Sequence, residues 1–92
     1  MYNTFEYDIS KSKLNKEKHG IDFEEAKAVW RDEYALVAPT KQVEGEKRFI
    51  IIGNLSKKVW SVIFTYRNET IRIISARRAR KEEVSYYEKN KY

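Results

Sequence analysis

The sequence predicts an α+β fold: an antiparallel β-sheet meander with two N-terminal helices and one C-terminal helix. Three features carry that expectation. Three β-rich runs crowd the second half of the chain, two helix signals precede them, and a tail of helix formers follows. Taken in order, Phe5 to Tyr7 is a short strand, and Asp8 or Ser10 can cap the basic helix KSKLNKEKHG, which Gly20 closes. Asp22 with Glu25 three residues later is a capping box, and Phe23, Ala26 and Trp30 recur at helical spacing, so a second helix runs from Asp22 to about Arg31. Tyr34 to Val37 is an apolar strand ended by Pro39, and TKQVEGEK is a polar loop around Gly45. The runs KRFIIIGNL, VWSVIFTYR and TIRIISA then alternate with polar turns at Ser56-Lys57 and at Arg67 to Glu69. VWSVIFTYR is apolar on both faces, which marks the central strand. The third helix spans about Ala79 to Asn90 and lies across the sheet.

Composition sets the limits on function. The 92 residues suffice for one domain, 1–92, and 41% hydrophobic residues with thirteen aromatics (Tyr 7, Phe 4, Trp 2) supply a small core. No apolar run reaches the roughly 18 residues of a membrane span, and MYNTFEYDIS lacks the basic-then-apolar order of a signal peptide, so no membrane association and a cytoplasmic location are expected. Without cysteine there is no thiolate nucleophile and no Cys-based zinc site. A single histidine, His19, excludes a two-histidine acid/base pair and a multi-histidine metal site within one chain. Gly20, Gly45 and Gly53 are too scattered for a phosphate-cradling loop, and no cofactor is expected.

The formal charge of +5 favours an anionic partner, although simple solubility accounts for it equally well. Its distribution says more. Residues 71 to 81 hold Arg72, Arg77, Arg78, Arg80 and Lys81 with no acidic residue, whereas residues 21 to 33 are acidic on balance. Arginine binds phosphate oxygens in pairs and stays charged at any working pH. With two-residue turns at Ser56-Lys57 and Asn68-Glu69, Leu55 faces Lys58, Arg67 faces Thr70, Thr65 faces Arg72 and Trp60 faces Arg77. Arg48 then faces Thr65. Arg48, Thr65 and Arg72 form a row across the sheet, either a phosphate seat or a face with interstrand Arg-Glu pairs. Lys18 and His19 stand where a helix dipole favours cations, and an imidazole also suits proton transfer near neutrality. Tyr66, Tyr86 and Tyr87 can stack on unpaired bases, or pack as core. Glu82 and Glu83 can act as a base, or balance Arg78 and Lys81 at helical spacing.

FEYD near the start, KHGIDFEEA, GEKRF before a strand, and RIISARRA followed by Glu83 and Tyr87 resemble the BrnT family of bacterial type II toxins, through nearly the whole chain. The resemblance implies a RelE-like fold, a ribonuclease that stops translation, and a cognate DNA-binding antitoxin (BrnA-like). With that antitoxin it would form a hetero-oligomer repressing its own operon. Carried to matching positions, it implies Lys18, His19, Arg72, Arg77 and Arg78 as catalytic candidates, Arg48 as an RNA contact, and Glu83 and Tyr87 as secondary candidates. Arg80, Lys81 and Tyr66 join Arg48 as RNA-binding candidates. Tyr7 stands where the family usually has Trp, Ile9 where Pro is frequent, and Arg80 where Thr is common. RNA is cleaved without metal when its 2′-hydroxyl attacks the neighbouring phosphate, so the expected activity is that of a metal-independent endoribonuclease. His19, a tyrosinate, a glutamate or a depressed lysine remain open as the base. A non-catalytic nucleic-acid-binding or partner-binding module is the alternative.

Overall fold

Two tight turns organise the second half of the chain. Ser56 and Lys57 have φ of 53° and 67°, and Asn68 and Glu69 have 50° and 68°. Left-handed backbone at both central positions matches the twist of the flanking strands and fixes the register of each hairpin. In the computed structural model, which describes residues 4–91, these turns join β3 (Phe49–Leu55), β4 (Lys58–Arg67) and β5 (Thr70–Arg78). β2 (Leu36–Pro39) flanks β3, and β1 (Phe5–Glu6) flanks β5, giving five strands in the order β1-β5-β4-β3-β2 with β4 central.

The sheet is mixed, which corrects the purely antiparallel expectation: β1 runs parallel to β5, with Phe5 beside Ile71 and Glu6 beside Arg72. Nothing local to a two-residue strand encodes its direction. β2 starts at Leu36 rather than Tyr34 because Asp32 accepts the N–H of Tyr34 on Oδ1 and that of Ala35 on its carbonyl, holding both in a turn. Pro39 is tolerated because β2 is an edge strand.

Helix α1 (Ile9–His19) is capped by Asp8, whose Oδ1 accepts the N–H of Lys11, and closes at Gly20 in the left-handed region at φ 78°. α2 begins at Phe23 with both halves of the Asp22–Glu25 capping box formed, but its helical geometry ends at Ala26. A 3₁₀ segment, Lys27–Arg31, replaces the single helix expected to Arg31. That tighter winding sets buried Val29 against Gly53, where a Cβ would stand 3.0 Å from Val29 Cγ1 and 3.1 Å from Ala35 Cβ. α3 (Lys81–Lys91) starts later than Ala79, whose N–H continues the strand by donating to Val59.

The core lies between one sheet face and α1–α2: Ile21, Phe23, Ala26 and Val29 meet Ile51, Val62, Phe64, Ile71, Ile73 and Ala76. Each large side chain buried there contributes about 1.5–3 kcal/mol. Trp30 and Phe49 pack their rings on Phe64 at 5.1 and 5.8 Å. The opposite face carries Ile50, Ile63 and Ser75 in one row and Ile52, Ser61 and Arg77 in the next. α3 covers the second row, since Glu83 reaches Ser61. Among the described residues no helix is long and apolar enough to cross a membrane.

Candidate functional site

Strand β5 carries Arg72, Arg77 and Arg78, and one extra residue decides where they point. Arg67 faces Thr70, Thr65 faces Arg72 and Leu55 faces Lys58, as the turns require. Phe64 then pairs with Ile73 but Ile63 with Ser75, so Ile74 is an extra residue in a β-bulge. Trp60 therefore faces Arg78, not Arg77 as the regular register has it. Arg72 and Arg77 are an odd number of residues apart and would point to opposite faces of a regular strand. The bulge puts both on the face away from the core, and sends Arg78 to the other, where its guanidinium lies 5.5 Å from the Trp60 ring. At about 3.3 Å per residue, Arg72 and Arg77 are about 16 Å apart, at opposite ends of that face. The single arginine cluster of the sequence is thus two clusters and a cation–π contact.

The first cluster centres on Arg77. Its Nη1 donates to Glu83 Oε1 at 2.8 Å and its Nη2 to Oε2 at 2.9 Å, a two-pronged pair only 23% and 18% exposed. Oε1 also accepts from Ser61 Oγ at 2.9 Å and from the Arg80 backbone N–H at 2.8 Å. The Arg77 guanidinium holds the Glu83 carboxyl down to about 2 against the cost of burial, helped by the Arg80 and Ser61 hydrogen bonds. Glu83 is therefore paired with Arg77, from which it takes two hydrogen bonds. Arg77 stays protonated, raised by the same bond. The side chains of Arg80 and Lys81 are exposed beside the pair. Ser61 was not singled out by the sequence, although a serine in the central strand between apolar neighbours was its signal; it is fully buried.

The second cluster occupies a cleft of about 130 Å³ lined by Lys11, Arg48, Arg67 and Arg72 with Asp8 and Glu46. Arg72 Nη1 donates to Glu6 Oε2 at 3.0 Å, and Arg67 Nη2 to Glu46 Oε2 at 3.2 Å. The expected Arg48–Thr65–Arg72 row is met in part. Arg48 lies one residue before the ladder begins at Phe49, and the Thr65 hydroxyl is buried, donating to the Lys47 carbonyl at 2.7 Å. Carboxylates of the chain itself accompany these arginines.

α1 runs alongside β5: its first turn shares the cleft with Arg72, Ile73 and Ile74, and Asn15 one turn later grips Ala76. Lys18 and His19, both exposed, lie in the last turn of α1, one turn beyond Asn15. Asn15 is a second residue that sequence reading passed over. Its amide donates to the carbonyls of Ala76 (2.9 Å) and Ile21 (2.8 Å) and accepts from the Ala76 N–H (3.2 Å), so α1 stands in for a neighbouring strand where β1 has ended. Tyr66 lies on the core face, its ring 5.2 and 5.3 Å from those of Phe49 and Phe64, away from Arg72. Tyr87 is buried and donates its hydroxyl to Asp32 Oδ2 at 2.5 Å, turned from both clusters.

Against known proteins, a family model described as the ribonuclease toxin BrnT of type II toxin-antitoxin systems matches residues 7–83, a span that holds Lys18, His19 and every arginine of both clusters. No curated protein matches the chain.

Proposed function

The chain belongs to the BrnT family of ribonuclease toxins of type II toxin-antitoxin systems, and from that premise we propose that it is a metal-independent endoribonuclease, RelE-like in arrangement, acting on the sheet face beside α3. The observation that carries this reading is the Arg77–Glu83 pair, a guanidinium fixed in direction by two short bonds to the carboxylate and a longer one, 3.3 Å, from Nη1 to the Arg78 carbonyl, with its Nε–H and second Nη2–H given no acceptor among the described residues. Such a donor is ready for charge that develops at phosphorus and needs no reorganisation when it forms. In the proposed step the RNA 2′-oxygen forms a bond to phosphorus as the bond to the 5′-oxygen breaks. The products are a 2′,3′-cyclic phosphate and a 5′-hydroxyl, the latter taking up a proton. The 2′-hydroxyl proton goes to His19, since Glu83 is committed to Arg77 and imidazole is the side chain that ordinarily exchanges protons near neutrality. Lys18, Arg80 and Lys81 add positive charge around the scissile phosphate, whereas Arg78, on the other face against Trp60, takes no part in this reading. Arg72 and Arg48 hold the same strand further along the face.

Family membership implies an antitoxin protein as partner. In the proposed reading a BrnA-like antitoxin covers the arginine face with acidic or carbonyl groups, and the complex represses its own operon through the antitoxin's DNA-binding part. RNA cleavage in the cytoplasm then stops translation when the antitoxin is lost. Induction of the chain alone in bacteria tests this: growth and protein synthesis should fall, and co-expression of the neighbouring reading frame should restore both. Normal growth at confirmed high soluble expression overturns the toxin reading.

A further inference from the structure

We propose that the cleft at the Arg72 end is a seat for a backbone phosphodiester, held by a carboxylate of the chain itself, Glu46, which the RNA displaces. The inference rests on the RNA reading above and adds to it residues outside the catalytic cluster, Lys11, Arg67 and Glu46. Of the carboxylates there, Asp8 is committed to the α1 cap and Glu6 to Arg72. Glu46 alone faces two guanidinium groups, and it satisfies neither well. It lies 3.2 Å from Arg67 Nη2 and 3.6 Å from Arg48 Nε, against 2.8 and 2.9 Å for the Arg77–Glu83 pair of the same molecule. Arg48 Nε is a buried atom with no hydrogen bond among the described residues. A buried donor left without an acceptor costs free energy that a better-placed oxygen recovers. A phosphodiester offers two such oxygens in the geometry a guanidinium prefers, in a cleft of about 130 Å³, the scale of one phosphate group.

Glu46 is placed to yield. It ends a tight turn through Glu44 and Gly45, at φ 50° and 79°, closed by bonds in both directions between the Val43 and Glu46 backbones. The turn thus stays closed while the side chain leaves the cleft by rotation alone. Because the Ile74 bulge puts Arg72 and Arg77 on one face, a strand seated here continues towards the catalytic cluster. Free anions must compete with a tethered carboxylate, whereas a polyanion anchored elsewhere on the face displaces it at high local concentration.

The test uses an uncleavable 2′-O-methyl RNA, with affinity measured against salt for the whole protein and for Glu46→Gln, Arg67→Ala and Arg48→Ala. Inorganic phosphate, followed through the arginine Nε–H resonances, is an independent probe. Glu46→Gln should bind the RNA severalfold more tightly, while Arg67→Ala and Arg48→Ala should weaken it and flatten the salt slope by about one. Phosphate should shift the Arg48 and Arg67 signals more strongly in Glu46→Gln. Unchanged RNA affinity in all three variants, at unchanged melting temperature, overturns the seat and leaves the RNA reading standing. Phosphate binding at the cleft in a protein that binds no RNA overturns the RNA reading instead. Loss of antitoxin binding in Arg67→Ala without loss of RNA binding makes the occupant a partner's carboxylate and refutes the proposal. If Glu46→Gln keeps its affinity but loses single-turnover cleavage, Glu46 moves a proton and does not hold a place.

Discussion

Replacing Glu83 by Gln keeps the shape of the side chain and removes the charge that anchors Arg77. The carboxyl ordinarily titrates at 4.5 and is held at about 2 in the folded protein. At about 1.36 kcal/mol per tenfold change in proton affinity, that displacement corresponds to about 3 kcal/mol of stability. Both partners are less than a quarter exposed, so solvent screening takes away little of it. The folded carboxyl holds its proton less tightly than the unfolded one. Its contribution is therefore complete above about pH 4.5 and is lost as pH falls through about 2. Asp32 titrates in both proteins and cancels in the comparison; burial pushes it up, and hydrogen bonds from Tyr87, Asn54 and Tyr34 with the charge of Lys91 bring it down overall. Urea unfolding of wild type and Glu83→Gln at a series of pH values from 7 to 2 reads the difference. The variant should be weaker by about 3 kcal/mol at pH 7, equivalent to a melting point lower by about 12–24 °C for a domain of this size. The gap should close between pH 4.5 and 2. A gap that stays constant across that range refutes the assignment of Glu83 as the charged anchor.

Asn15→Ala orphans the N–H and C=O of Ala76 and the carbonyl of Ile21 in a buried site, at about 1–3 kcal/mol for each group left unpaired. Thermal melting should fall by well over 10 °C, and amide exchange at Ala76 should accelerate; a melting point within a few degrees of wild type means that β5 is held by something else. Gly53→Ala places a methyl group 3.0 Å from Val29 Cγ1 and 3.1 Å from Ala35 Cβ, and should cost about 1–3 kcal/mol in urea unfolding without changing the fold. Stability equal to wild type means that the 3₁₀ segment can retreat from the sheet.

The hairpins were legible because two-residue turns set register locally: every pairing counted outward from Asn68-Glu69 holds as far as Phe64 with Ile73. Beyond that point the bulge at Ile74 breaks the count, and nothing in RIISARR distinguishes a bulged isoleucine from a paired one. A shift of one residue reverses faces, so the arginines read as one cluster divide between two faces and two ends of β5. The parallel pairing of β1 was hidden for a related reason, since it depends on where β5 finally lies. Helix α1 was found through its cap and its glycine, yet the side chains it buries are Ser12 and Asn15, which hydropathy counts as surface. Asn15 and Ser61 matter for the hydrogen bonds they complete, and a completed bond is a property of two distant segments. Arginine in place of lysine raised the expectation of an anion site; which arginine a carboxylate aims, and which one a carboxylate shares its cleft with, required the fold.

The central claim is that a guanidinium aimed by Glu83 stabilises charge at phosphorus without help from a metal ion. Single-turnover cleavage of a defined RNA in EDTA, at saturating protein, tests it most directly when wild type and Arg77→Ala are compared alongside their RNA affinities. Wild type should cleave in EDTA, and Arg77→Ala should be slower by roughly a hundredfold to a thousandfold once saturated, the effect of removing one preorganised donor. Arg77→Lys should restore affinity more than rate, because an ammonium lacks the two-pronged geometry. Cleavage that disappears in EDTA, or that proceeds at the wild-type rate in saturated, folded Arg77→Ala, contradicts the claim.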